Sequence, residues 1–457
     1  MERSYRIWYF LAALLALAPV GARVLLWQKA QPRAADPAMA RAGEELFQHV
    51  WKQNDPLSPN GDGLGPVFNA RSCVACHNQG GRGGGGGVEF NVTTYTVQQA
   101  AGAKPRMGLV HANALGAPRE TLKDVHPALP AVAQPTLDML VALPGKRGAT
   151  LISMPAGVLI SQRNTPALFG ANWLDAIPDR VIIANEKNQR LKWAMAPTRT
   201  EDVPVGRALR RADGRVGRFG WKAQTASLAD FVQAACANEL GLGNPGQSQP
   251  QPLNRTSYEP PGLDLTQEQC DQLTAFITAL PRPVERLPDE PAHTEAVPGK
   301  KQFHLDLRGR MTPMEPPEPP ASRADAVAGK KLFHQVGCAD CHQPNLGGVE
   351  GIYSDLLLHR MGRDLVGGSA YYGAPPAPVP MPDTPPSDDP DPDEWRTPPL
   401  WGVADSAPYL HDGRAETLEE AITLHGGQGK RAAARFQALD PREQVQLVAF
   451  LKTLRAP

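Results

Sequence analysis

The chain has 457 residues, and its 47 Lys plus Arg are matched by 47 Asp plus Glu. That length exceeds one ordinary core and predicts two domains with linkers, and the absence of net charge removes the electrostatic footing a nucleic-acid partner would need. Proline, at 47 residues, is about twice its usual share of ~5%, and much of the excess falls in segments that read as linkers and surface loops.

In chain order, residues 1–40 begin with Arg3 and Arg6 ahead of an apolar run from Ile7 to Ala22. A basic start followed by an apolar stretch is the pattern of a signal peptide or of an uncleaved membrane anchor, and no clean small-x-small site chooses between them. Either reading places the bulk of the chain outside the cytoplasm, in the periplasm, soluble or tethered to the inner membrane. Residues 41–285 are the first predicted domain. It opens with a short amphipathic helix at Gly43–Val50, followed by Cys73-Val-Ala-Cys76-His77 and a nearly all-glycine stretch, Gly80–Gly87. Such a stretch holds no regular structure and lets backbone come close to a cofactor. Asn60-Gly-Asp62-Gly63 resembles a calcium turn without the spacing of a full EF-hand loop. Residues 286–324 read as a Pro-rich linker that includes Pro316-Pro317-Glu-Pro319-Pro320, with a helix at Gly299-Lys-Lys-Gln-Phe303-His304. Residues 325–457 are the second predicted domain, containing Cys338-Ala-Asp-Cys341-His342. Its Ala374–Pro399 stretch clusters Asp388, Asp389, Asp391, Asp393 and Glu394; it reads as a solvated loop, or as a docking patch for a basic redox partner.

Three strings occur twice. Gly43-Glu-Glu-Leu-Phe47 returns as Gly329-Lys-Lys-Leu-Phe333, and Thr165-Pro-Ala-Leu-Phe169-Gly170 as Thr397-Pro-Pro-Leu-Trp401-Gly402. The stretch Leu265–Leu280 returns as Leu439–Leu454, each a predicted helix. Thr266 and Asp440 are the expected N-caps, with Gln269 and Glu443 as capping-box partners and Pro441 at the first helical position. Each half therefore runs helix, C-x-x-C-H, T-P-x-L-aromatic-G, closing helix, which argues for duplication of one unit.

The C-x-x-C-H spacing has a mechanical reason. Two thiols so placed reach the two vinyl groups of one haem, and the adjacent histidine points its imidazole at the iron. Cys73, Cys76 and His77 would attach one haem; Cys338, Cys341 and His342 would attach a second. The pairs lie too far apart to share one zinc ribbon. The remaining cysteines, Cys236 and Cys270, read either as a disulfide or as two buried thiols. Candidates for the iron's sixth position are Met107, His111, His126, Met154 and Met195 in the first unit, and His359, Met361, His411 and His425 in the second. Trp395 and Trp401 read as core aromatics or as electron relays between haems.

The string from Thr397 through Ala407-Pro-Tyr-Leu-His411-Asp-Gly413 to Leu424-His425-Gly426 resembles the second half of bacterial di-haem cytochrome c peroxidases. Cys76-His77-Asn78 and Arg163-Asn-Thr-Pro resemble their first half. Arg218-Phe-Gly-Trp221-Lys-Ala-Gln, Tyr353-Ser-Asp-Leu-Leu-Leu-His359-Arg-Met361-Gly and Glu394-Trp-Arg-Thr-Pro-Pro-Leu-Trp-Gly resemble the related di-haem oxidoreductase family. The resemblance covers most of the chain after about residue 40. It implies a mainly α fold of two cytochrome-c-like domains, the first with a large loop-rich insertion. It further implies two covalently bound haem c groups, and a calcium ion between them. In those peroxidases the position matching His425 holds the methionine ligand of the electron-transferring haem, so His425 becomes the expected sixth ligand opposite His342, with Met361 as its rival. They also place a displaceable histidine before the Arg-Asn-Thr-Pro string, where this chain has Met154 nearest and no histidine. The expected function is a peroxidase-like di-haem oxidoreductase, fed by a small electron-donor protein such as a cytochrome c or a cupredoxin. The alternatives are a di-haem electron carrier without turnover, and a haem-based sensor.

Overall fold

The computed structural model describes residues 29–99, 105–116, 118–135, 154–194, 203–255, 257–288, 303–305, 311–313, 322–368 and 389–457. The apolar N-terminal run, Met195, Asp388 and the proline cluster at 316–320 lie outside them. Among the described residues no helix is long and apolar enough to cross a membrane.

Helix is the predominant regular element, and the longer helices carry the start signals their sequences predict. Helix α1, Pro37–Gln48, begins with Pro37 after Asp36, whose carboxylate accepts from Ala38 and Met39 N–H. Helices α2 (Asp179–Trp193) and α3 (Leu228–Leu240) follow. The closing helix α4, Gln267–Ala279, has the full Thr266/Gln269 capping box. In the second half, α5 (Arg323–Val336) starts with a Ser322/Asp325 box. Short helices α6 (Leu418–Thr423) and α7 (Lys430–Gln437) lead to α8, Pro441–Leu451, with its Asp440/Glu443 box.

The duplicated strings become duplicated packing. In the first half α1 crosses α4, and in the second α5 crosses α8, the two densest helix pairings in the described chain. Each crossing is closed by a glycine. A Cβ on Gly43 would sit 1.8 Å from the Gln272 carbonyl oxygen, and one on Gly329 would sit 1.8 Å from that of Gln446. Four residues after each glycine a phenylalanine meets the phenylalanine four residues after each glutamine. Phe47 and Phe276 have ring centroids 4.9 Å apart, and Phe333 and Phe450 5.4 Å. All four rings are buried. Burying each stabilises its crossing by about 1.5–3 kcal/mol.

The insertion of the first half differs from the loop-rich expectation. It contains a three-stranded antiparallel sheet, with β1 (Val92–Val97) central between β2 (Arg106–Val110) and β3 (Val158–Arg163). The run Val92-Thr-Thr-Tyr-Thr-Val97 consists of β-branched and aromatic residues, which fit a pleated surface. Tyr95, Val110 and Ile160 of this sheet pack on Leu122, Val125 and Leu129 as a small separate core. Of the expected helix at 299–304 only Phe303 and His304 are described, and they lie in a strand, Phe303–Leu305, paired with Met311–Pro313. In the second half, β4 (Leu358–Arg360) pairs antiparallel with β5 (Glu394–Arg396).

A fourth repeat becomes visible only in three dimensions. Phe219 bridges Thr225, and Tyr409 bridges Ala415, closing two turns of equal length. Gly220 and Ala223 have positive φ in the first turn, Leu410 and Gly413 in the second. Each turn leads to a hydroxyl N-cap, Ser227 of α3 or Thr417 of α6. The halves exchange backbone bonds through these turns. Asn164 N–H donates to the His411 carbonyl at 2.7 Å, and Arg396 N–H donates to the Trp221 carbonyl at 2.9 Å. Asn164 and Arg396 each stand directly before a Thr-Pro, so the two bonds are equivalents with the halves swapped.

Candidate functional site

Each C-x-x-C-H sits at the mouth of a cavity. Cys73–Cys76 forms one helical turn, capped by Ser72 Oγ accepting from Ala75 N–H at 3.3 Å. His77 and His342 donate their backbone N–H groups to Cys73 and Cys338 carbonyls. The first motif lines a cavity of about 70 Å³, walled by Phe47, Pro166, Leu168, Phe231, Val232 and Ala235 among others. The second lines a larger one of about 350 Å³, whose wall includes Met361, Arg396, Trp401, Leu418 and His425. Thr165, Pro166, Leu168 and Phe231 line both, so the first half's T-P-x-L turn stands between the two sites.

The four motif cysteines are free thiols, and burial pushes Cys73, Cys76 and Cys338 up to about 12 and raises Cys341. Cys236 and Cys270 are unpaired thiols buried in one core, the second of the two readings the sequence left open.

His77, His342 and His425 share one hydrogen-bonding pattern. His77 Nδ1 lies 3.1 Å from the Gly84 carbonyl, His342 Nδ1 3.0 Å from that of Tyr353, and His425 Nδ1 2.7 Å from that of Ala421. A carbonyl oxygen only accepts, so each Nδ1 carries the proton and each Nε2 keeps its lone pair. Burial lowers the pKa of His77 and His342 to about 4 and lowers that of His425, keeping the rings neutral. The Gly84 carbonyl is reachable because the glycine stretch folds back: Gly80, Gly81 and Gly83 have positive φ, and a Cβ on Gly84 would sit 1.6 Å from the Gln79 carbonyl oxygen.

His342 and His425 face one another with ring centroids 6.5 Å apart. These two rings are the ones that would hold the iron of a haem bound in this cavity, and the haem would supply the redox chemistry. His425 lies just past α6, after C-cap Leu424, as the glycines that follow it predict. Met361 lines the same cavity.

The other candidates fall away. His111 is buried with Nδ1 2.9 Å from Glu120 and Nε2 3.1 Å from the Asn238 carbonyl, so neither nitrogen is open to a metal. His126 Nδ1 accepts from Ala128 N–H, Met107 is 41% exposed, and Met154 packs on the insertion's core. His359 spends Nε2 on Asp355 at 2.8 Å and Nδ1 on Gln428 Oε1 at 2.8 Å. Gln428 donates its amide to the Val205 carbonyl, which fixes its oxygen toward the ring. With two acceptors, His359 is an imidazolium. Cys341, Asp355 and His359 do lie close enough to hold a metal ion, a cluster the sequence reading missed. His411 stacks on Trp395 at 3.7 Å and 19°, with Lys222 4.0 Å from the same ring, making Trp395 a packed core aromatic. The indole N–H of Trp401 is buried without a partner.

Two further expectations meet occupied side chains. In the Asn60–Gly63 turn, Asp62 accepts from Tyr258 Oη at 2.5 Å and from Gln249 at 2.8 Å. The acidic cluster is tied into the fold: Glu394 pairs with Arg207 at 2.7 Å, and Arg360 pairs with Asp391 and Asp393.

The match to known proteins follows this geometry. Residues 29–121 and 312–454 match the model of the family described as "Di-haem oxidoreductase, putative peroxidase", and the chain belongs to that family of enzymes. It is 33% identical over 140 residues to the methylamine utilization protein MauG of Methylorubrum extorquens, a stretch covering 29% of this chain and 35% of that protein. The chain thus spans about a third of the length of this curated relative. Whole-chain overlays on solved structures are loose. They include hydrazine synthase of Kuenenia stuttgartiensis (15% identity, 93% of this chain, 90% of that one, TM-score 0.37). A MauG-like protein associated with microbial copper homeostasis gives 16%, 93%, 92% and 0.34, and a variant of the di-haem peroxidase BthA of Burkholderia thailandensis gives 15%, 93%, 87% and 0.36. These overlays add nothing to the family assignment, which rests on the matched residues. The two haems the family implies fit the residues present: each C-x-x-C-H borders a cavity and offers a neutral histidine anchored through Nδ1 to a backbone carbonyl.

Proposed function

We propose that the protein is an exported di-haem c-type oxidoreductase of peroxidase type, taking electrons from a small donor protein such as a cytochrome c or cupredoxin. Residues 41–285 and 325–457 would be its two cytochrome-c-like domains, joined by the 286–324 linker, with the basic and apolar N-terminal run as the export signal or inner-membrane tether. Cys73 and Cys76 would bind one haem through thioethers and His77 would ligate its iron. Cys338, Cys341, His342 and His425 would hold the second. When bound, haem supplies one-electron redox chemistry, and an open axial position admits peroxide or another small ligand. The engaged carboxylate of Asp62 does not favour calcium at the Asn60–Gly63 turn.

The observation that carries this reading is an asymmetry between equivalent helices. Helix α6 brings Ala421, Ile422 and His425 to the second cavity, and α3 brings Phe231, Val232 and Ala235 to the first. Counting from Leu418 and Leu228, the first residue of each helix, His425 and Ala235 occupy the same place. On this reading the second site would have a protein ligand on each side, His342 and His425. The first has a methyl group where the ligand would be, and apolar walls of Phe231 and Val232 that exclude water. That division suits a relay haem and a reactive haem.

Magnetic circular dichroism of the oxidised and half-reduced protein tests it. One low-spin bis-histidine haem and one high-spin haem that binds cyanide are expected. Two low-spin haems in every redox state would instead describe an electron carrier.

A further inference from the structure

Arg396 is 7% exposed and lines the larger cavity beside Cys341, His342 and His425. Its guanidinium donates to the Gly220 carbonyl at 2.9 Å and the Thr397 carbonyl at 3.2 Å. Among the described residues no carboxylate lies within ion-pair distance of it. Asp355, the nearest carboxylate influence on it, is committed to His359, to Gln189 at 2.6 Å and to Leu357 N–H at 2.9 Å. The neighbouring titratable groups supply no counter-charge: His359 is hydrogen-bonded to Asp355 and Gln428, and Lys222, whose pKa burial lowers well below the usual lysine value, is held by the carbonyls of Asp391, Pro392 and Glu394. Burial pulls the Arg396 pKa down to about 10. A cation taken from water without a counter-charge is costly, and a guanidinium keeps its proton rather than discharge. A fold that seats one at the wall of a cavity has left room for an anion.

We propose that Arg396 binds a carboxylate of the ligand in this cavity, a propionate of the second haem, and holds it ionised. The inference rests on the reading that Cys338, Cys341 and His342 attach that haem. Arg supplies a planar fork of N–H donors that matches a carboxylate in charge and shape. Asn164, the equivalent of Arg396 in the first half, is neutral and spends its amide on Gly86 and Asn91. The pairing is therefore a property of the second site alone. With Arg396 in place the carboxylate stays charged and compensated whether the iron is oxidised or reduced. Without it, the charge lacks its partner inside the protein, favours the ferric form, and is relieved by taking up a proton.

The test is a redox titration of the full-length holo-protein across the neutral pH range, following the low-spin haem. The wild-type potential should be flat with pH. Arg396→Gln should lower it and give it a pH slope, and Arg396→Lys should keep most of the wild-type value. A wild-type potential that already slopes with pH, or an Arg396→Gln protein whose potential is unmoved and flat, overturns the proposal. If Arg396→Gln does not accumulate, the wild-type pH profile and the Arg396→Lys potential decide. Haem content by pyridine haemochrome and cyanide binding at the first haem are read on the same samples. Loss of either in the wild type would instead strike at the di-haem reading itself.

Discussion

Ala235 on α3 and His425 beyond α6 are the same position in a duplicated unit, each seven residues past the leucine that opens its helix. Both follow a turn with two positive-φ residues and a hydroxyl N-cap, and both face a cavity that begins at a C-x-x-C-H. A histidine in one copy and an alanine in the other make this position unequal.

Restoring the equality should remove the reactive site. Ala235→His should place an imidazole across from His77 and convert the first haem to a low-spin six-coordinate form. Cyanide affinity and peroxide turnover should fall at least tenfold, while the second haem's spectrum stays unchanged. An electronic spectrum of the ferric variant, with and without cyanide, measures this. A variant that keeps its high-spin band and binds cyanide as before shows that α3 does not cover the first iron.

The opposite change tests the second site. His425→Ala leaves His342 without its facing ring, so the second haem should become high-spin in the ferric protein. Met361→Ala should leave the low-spin signal in place, because it is His425 whose ring lies 6.5 Å from that of His342. Electron paramagnetic resonance of the two variants separates the ligands. Loss of the low-spin signal in Met361→Ala but not in His425→Ala would reassign the ligand to Met361.

The parts that were legible in the sequence share a cause. Helix ends at Thr266, Asp440 and Pro441 follow from local hydrogen bonding, and the Gly43/Phe47 and Gly329/Phe333 strings keep the residue types that a close helix crossing requires. The turn repeat was hidden because its chemistry is not repeated in kind. The positive φ falls on Gly220 and Ala223 in one copy and on Leu410 and Gly413 in the other, so the glycines do not align. The long-range bonds Asn164 to His411 and Arg396 to Trp221 join residues more than a hundred apart, which local pattern cannot register. The strand at Phe303–Leu305 was read as a helix because Gly299-Lys-Lys-Gln-Phe303 copies the opening of a string that is helical at Gly43 and at Gly329.

The two crossing glycines should tolerate nothing larger. Gly43→Ala and Gly329→Ala each force a methyl group against a backbone oxygen that cannot swing aside. Each should cost about 3 kcal/mol, the upper end of overpacking penalties. Urea unfolding followed by Soret absorbance checks this, and a cost under about 1 kcal/mol would mean the helices separate easily.

Asp264 gives the stability an unusual pH term. It is buried, and burial, reinforced by the charge of Asp62, raises its carboxyl to about 6 against the opposing N–H groups of Gly63 and Gly243. The folded chain therefore keeps a proton that the unfolded chain, with a carboxyl near 3.8, has released. A group raised in the folded state contributes stability that is fully present below its unfolded value and is lost as pH climbs through its folded value. The window here runs from about 4 to about 6, and a shift of roughly two units is worth about 3 kcal/mol. Other carboxylates slope the opposite way, so the variant that removes the neighbouring charge is the informative comparison. Asp62→Ala loses the bonds from Tyr258 and Gln249 and should be less stable at every pH. Its descent between pH 4 and 6 should nevertheless be shallower than that of the wild type, because Asp264 then titrates closer to its unfolded value. Denaturant unfolding of both proteins at half-unit pH steps gives the two curves. Parallel curves through this window would show that the Asp62 charge does not reach Asp264.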